Sequence, residues 1–99
     1  MVQIDYDLLA IAEARKAWRR YARLSGVLAT RFEAAYRAAS AKLQTNISAL
    51  APYLHGTRVV RLKGYPYLLV LKDLTASRVL VVALAHTSRR PGYWRRRLP

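Results

Sequence analysis

Seven consecutive apolar residues, Val79-Leu80-Val81-Val82-Ala83-Leu84-Ala85, stand near the end of a 99-residue chain and run directly into His86-Thr87-Ser88-Arg89-Arg90-Pro91-Gly92-Tyr93-Trp94-Arg95-Arg96-Arg97. A strand with one wet face alternates apolar and polar residues, so a run without alternation predicts a strand covered on both faces. The strand delivers a histidine, five arginines and two aromatic residues to one place. Crowded arginines lose solvation and exposed rings leave apolar surface near water, so the grouping points to an acidic or polyanionic partner.

A chain of this length can bury a core without disulfides or metal, and residues 1–99 read as one domain. It has no cysteine, which removes thiolate zinc sites, redox motifs and disulfide scaffolds together and makes a reducing, cytoplasmic setting the simplest expectation. Lys72 and Asp73 interrupt the apolar sequence well short of the roughly eighteen residues of a membrane span. The start, Met1-Val2-Gln3-Ile4-Asp5, is acidic where a secretory leader is basic, so neither export nor a membrane partner is expected. Eighteen Lys and Arg against five Asp and Glu give a formal charge of +13. Self-repulsion of that size opposes compaction unless a partner neutralises it, which implies nucleic acid or an acidic protein. Fourteen of the eighteen are Arg, a bias that a GC-rich genome explains as well as selection for guanidinium forks does.

Asp7 is placed to cap a helix running to about Leu24, with arginines toward its end as the helix dipole favours. Its apolar stripe reads Leu8, Ile11, Ala14, Trp18, Tyr21, while Lys16, Arg19, Arg20 and Arg23 repeat at i, i+3, i+4 and i+7 on another face. Ser25-Gly26 ends this helix, with Gly26 able to take the left-handed conformation of a C-terminal cap. A second helix runs from about Val27 to Leu43 on Leu28, Phe32, Ala35, Tyr36, Ala39 and Leu43, and so short a link makes an antiparallel hairpin. An irregular crossing follows, with one helical turn around Ser48 to Ala51. Thr57 to Leu62, Tyr67 to Lys72 and Arg78 to Ala85 then read as strands, with Val2 to Tyr6 as a fourth. The fold class is α+β: an N-terminal helical hairpin on one face of a three- to four-stranded, mostly antiparallel sheet. The other face must meet the C-terminal segment or another chain.

Gly56-Thr57-Arg58-Val59-Val60-Arg61-Leu62, Tyr65-Pro66-Tyr67, Val81-Val82-Ala83-Leu84-Ala85-His86 and Arg90-Pro91-Gly92-Tyr93-Trp94 together resemble the RelE/ParE superfamily of type II toxins, and the likeness spans essentially the whole chain. The terminal strand with its His-x-x-Arg and Pro-x-Tyr-Trp tail is the specific part, and it looks closer to the ParE-like, plasmid-stabilisation side. The resemblance implies a small basic toxin inhibited by a cognate acidic antitoxin. It further implies one of two targets: DNA gyrase, bound without nuclease chemistry, or mRNA on the ribosome, cleaved as RelE-like members do.

Cleavage through a ribose 2'-OH needs a base, cations for the phosphate and an acid for the leaving oxygen. The RelE-like reading would draw these from Arg58, Arg61, Lys63, His86, Arg89 and Tyr93. Against it, no Asp or Glu lies near the tail in sequence, and Tyr93 sits in a Pro-Gly-Tyr-Trp setting typical of the ParE-like group. The ParE-like reading makes Arg89, Arg90, Tyr93, Trp94 and Arg95 target contacts, and Lys16, Arg19, Arg20 and Arg23 the face for the antitoxin, or else an ordinary solvated helix side. His86 reads as a general base or as a strand cap, its ring on Trp94 or Tyr93 and one nitrogen bonded to backbone. His55 reads as a solvated loop residue, and no metal spacing or cofactor motif is present. Trp18, Tyr21 and Tyr67 are expected in the core, Tyr65 in the core or at a groove. The tail is expected to be ordered through Trp94 and mobile beyond about Arg96.

Overall fold

The structure, a computed structural model, describes residues 2–99. Its elements are β1 (Gln3–Tyr6), α1 (Leu8–Leu24), α2 (Gly26–Ala41), β2 (Ala51–Pro52), β3 (Arg58–Arg61), β4 (Tyr67–Thr75) and β5 (Arg78–His86), with 3₁₀ turns at Lys42–Gln44, Ile47–Ala49, Leu54–Gly56 and Arg95–Arg97. The sheet has five strands in the order β1-β5-β4-β3-β2. The fifth is the two-residue β2 at the edge, where Pro52 blunts further pairing. β1 runs parallel to β5 and every other pairing is antiparallel.

The apolar strand β5 lies between β1 and β4 and is covered on both faces, as its lack of alternation demands. Val79, Val81 and Leu84 pack with Leu69, Leu71, Phe32 and Leu43 under the helices. Val82, Ala83 and Ala85 pack with Val70 and Trp94 on the opposite side. Two successive residues share that side because Val70 pairs with Ala83 and Leu71 with Val81, which leaves Val82 as a bulge. Each of these valines and leucines is fully buried and contributes about 1.5–3 kcal/mol. The second face is closed by the C-terminal segment itself, with Trp94 1% exposed.

Asp7 caps α1 as its position demands, its carboxylate accepting from Leu9 N at 2.8 Å. The hairpin link differs from expectation. Ser25, in extended conformation, ends α1 and caps α2 at once, its Oγ accepting from Val27 N at 3.1 Å, and Gly26 is the first residue of α2 without a positive φ. A hydroxyl that can bond two free amides closes the turn without a left-handed residue.

The stripe of α1 is also rotated from the expected one. Ala10 and Ala17 are buried, with Ala14 and Tyr21 beside them, whereas Leu8 is 80% exposed and Trp18 39%. Small residues win the contact face because they let the helix approach the sheet closely, and Trp18 instead lies across the hairpin, its Nε1 donating to Glu33 at 2.6 Å. Tyr21 and Tyr67 join Phe32 in an aromatic cluster, as expected. Tyr65 belongs to the same cluster and donates its hydroxyl to Leu28 O at 2.9 Å, pinning the β3–β4 turn to α2.

Candidate functional site

An open cleft of about 590 Å³ runs between α1 and the end of β5. Lys16, Arg19, Arg20 and Arg23 form one wall because the i, i+3, i+4, i+7 spacing sets them along one side of α1. His86, Ser88, Arg89 and Tyr93 form the other, and Tyr67 and Leu84 lie at the floor. Residues expected in two different roles, Lys16, Arg19, Arg20 and Arg23 toward an antitoxin and Arg89 and Tyr93 toward a target, therefore line a single cationic cleft.

Its one carboxylate, Glu13, comes from α1 and is the residue the sequence reading missed. Glu13 accepts from Tyr93 Oη, from Arg97 Nη1 at 2.8 Å and Nη2 at 3.1 Å, from Arg89 Nη1 at 3.5 Å, and from the backbone N of Leu84 at 3.2 Å. Arg97 also donates to Val82 O at 3.2 Å. β1 ends opposite Val81, so Leu84 N–H and Val82 C=O lie past the strand that would have bonded them. Glu13 and Arg97 fill that place, satisfying backbone groups whose burial unpaired would cost about 1–3 kcal/mol each.

The carboxylate has no acceptor position left over, and this distinguishes a clasp from a base. Burial, then the hydrogen bond to Glu13 and the charge of Glu13, push the Tyr93 hydroxyl well above the ordinary tyrosine range. Burial works against the charge of Arg97, but its bonds to Glu13 outweigh this and raise its pKa further. Arg89 sits over Tyr93, its guanidinium carbon 3.7 Å from the ring centroid, with half of its side chain exposed.

His86 caps β5 much as the strand-end reading expects, but its ring stands edge-on to Tyr67 at 5.0 Å, and Trp94 and Tyr93 are not its packing partners. Its Nδ1 accepts from Ser88 N at 3.0 Å, which places the proton of the neutral ring on Nε2, toward no protein acceptor among the described residues. Arg58, Arg61 and Lys63 do not line the cleft. Arg58 donates to Ser48 O and Leu50 O at 3.3 and 2.9 Å and ties down the crossing loop.

Arg90 and Arg95 are exposed outside the cleft. Trp94, expected to contact a target, is instead a core residue, because the face of β5 needs a cover and its ring is the largest apolar group in reach. Order continues past Trp94 through the Arg95–Arg97 turn, held by Arg97 on Glu13, where mobility was expected from about Arg96. His55 is exposed, as a loop residue would be, but it takes φ 58° and sets its ring edge-on to Trp94 at 5.9 Å. Gly92, at φ 82°, turns the tail beneath it, where a Cβ would meet His55 Nε2 at 3.1 Å. Among the described residues no three His, Asp or Glu side chains gather as metal ligands would, and no helix is long and apolar enough to cross a membrane.

Two helices on one face of a five-stranded, mostly antiparallel sheet, with the C-terminal segment over the second face, make an α+β fold. The chain is similar to a solved chain described as "Chromosomal ParDE TA system from P. aeruginosa", with a TM-score of 0.74 and 15% identity over 89% of this chain and 98% of that one. At that identity the likeness establishes the fold. No family model and no curated protein matches the chain.

Proposed function

We propose that this chain is the toxin component of a type II toxin-antitoxin system of the ParE-like kind, one domain acting in the cytoplasm. It inhibits growth by binding a replication target, DNA gyrase by resemblance, and an acidic antitoxin holds it in check. The fold it shares with the ParDE chain supports the toxin reading. The saturated carboxylate supports binding over catalysis: among the described residues the one carboxylate lining the cleft is occupied by Tyr93, Arg97, Arg89 and Leu84, so neither Glu13 as a base nor Tyr93 as a proton donor is free for a ribose or a leaving oxygen. The cations that an RNA-cleaving centre would recruit from β3 and its turn, Arg58, Arg61 and Lys63, lie off the cleft.

The RelE-like alternative keeps one favourable observation, His86 and Arg89 sharing a cationic cleft. Controlled expression in bacteria separates the two. The ParE-like reading expects filamentation and DNA damage before translation falls, and an abrupt halt in translation first would favour cleavage of ribosome-bound mRNA.

A further inference from the structure

We propose that the cleft between α1 and the end of β5 is a carboxylate-binding site for an extended acidic peptide, anchored on Arg89 and His86 and flanked by the cations of α1. The inference deepens the toxin reading by giving its acidic partner a place on this chain, and rests on that reading for the partner's role.

Three observations carry it. First, Arg89 is held in place at the cleft: Nη1 lies 3.5 Å from Glu13, its guanidinium carbon sits 3.7 Å over the Tyr93 ring, and half of its side chain is exposed. A planar fork with its rotamer already set binds a carboxylate in bidentate fashion at reduced entropic cost. Second, the Ser88 amide occupies His86 Nδ1, so Nε2–H is a donor beside Arg89. Third, Lys16, Arg19, Arg20 and Arg23 extend the positive wall along α1, at a rise of about 1.5 Å per residue. Spaced by three or four residues, they recur every 4.5–6 Å or so along the helix axis, within reach of the roughly 6.6 Å between alternate side chains of an extended peptide.

A phosphodiester strand would also meet this charge, but the cleft offers bases little to stack on besides the half-buried His86 ring. Tyr67 is 6% exposed, Trp94 is buried, and the face of Tyr93 is covered by Arg89. Recognition of single strands draws about 1–3 kcal/mol per base from such stacking, so the site favours carboxylates over nucleotides.

The test uses the whole chain and fluorescein-labelled octaglutamate, followed by anisotropy at low salt, with unlabelled eight-nucleotide oligothymidylate and inorganic phosphate as competitors. One peptide should bind per chain. Arg89→Gln should weaken it about tenfold and Arg89→Lys about threefold, since the fork is lost but not the charge. Arg20→Gln and His86→Ala should each cost about threefold, whereas Arg31→Gln and Arg61→Gln, outside the cleft, should cost less than about twofold. Circular dichroism and melting of each variant establish that it is folded.

Equal losses from all the Arg→Gln variants would overturn the site in favour of diffuse charge. Oligothymidylate displacing octaglutamate at a lower concentration would overturn it in favour of a nucleic-acid cleft, and phosphate doing so in favour of an isolated anion site. A chain that binds octaglutamate as described yet leaves bacterial growth untouched removes the toxin reading and keeps the cleft. A toxic chain with no cleft binding does the reverse.

Discussion

Glu13 and Arg97, separated by 84 positions, meet at 2.8 Å and stitch the first helix to the last turn of the chain. Both side chains are largely buried, and both also bond the outer edge of β5 where β1 stops. Removing one member leaves the other charge stranded in a partly dry site. Glu13→Ala is expected to destabilise by about 2–4 kcal/mol, because it orphans Arg97 and Tyr93 together and leaves Leu84 N–H unpaired. Arg97→Ala should cost less, about 1–2 kcal/mol, since Tyr93, Arg89 and Leu84 still serve Glu13. Urea unfolding of the two single variants and the double variant measures the coupling. Strictly additive losses would contradict the clasp.

Tyr93 gives the clasp a spectroscopic signature. Its pKa is raised by burial and by Glu13, so the native state holds the phenolic proton more tightly than the unfolded chain. That contribution is complete below about pH 10, the ordinary tyrosine value, and is lost as the pH rises through the native one. Phenolate absorbance should show Tyr93 resisting ionisation, a resistance that Tyr93→Phe deletes and Glu13→Gln reduces. A Glu13→Gln titration superimposable on the parent would refute this.

Acid acts at the other end of β5. Arg78, and after it Gln3, hold the Asp5 carboxyl below the usual carboxylate range, with Arg78 Nη2 2.6 Å from Asp5 Oδ2. A lowered native pKa stabilises above the unfolded value, about 3.9, and the contribution is lost as pH falls through the native one. Melting temperature should therefore decline below about pH 4. Asp5→Asn should flatten that decline, and an unchanged acid limb in the variant would remove Asp5 as its cause.

The two tryptophans should behave oppositely. Trp94→Ala empties the centre of the second core cluster and is expected to cost about 3–5 kcal/mol. Trp18→Ala, at a partly exposed ring on the hairpin, should cost less than about 1 kcal/mol. Equal losses in thermal melts would mean that the tail does not close the sheet.

The unbroken Val79–Ala85 run disclosed a doubly covered strand, because burial on both faces leaves no position for a polar residue. The Pro91-Gly92 turn and the aromatic pair after it disclosed a tail that folds back. What stayed hidden was pairing at long range. Nothing local to Glu13 announces Arg97, and the larger Leu8 and Trp18 drew the helix stripe away from its true line. The signal was present in the small residues: Ala10, Ala14, Ala17 and Tyr21 mark the close-packed face of α1, and Glu13 stands among them as the only acid. A charge on a stripe of alanines requires a buried partner, and the arginine-rich tail was the place to seek it.

The most direct test of the central claim, that this end of the molecule binds and does not cleave, sets purified chain against DNA gyrase supercoiling and against ribosomes carrying mRNA. The account predicts inhibited supercoiling and intact message, with inhibition weakened by Arg89→Gln in chains that remain folded. Intact supercoiling together with message cleavage that His86→Ala abolishes would contradict it.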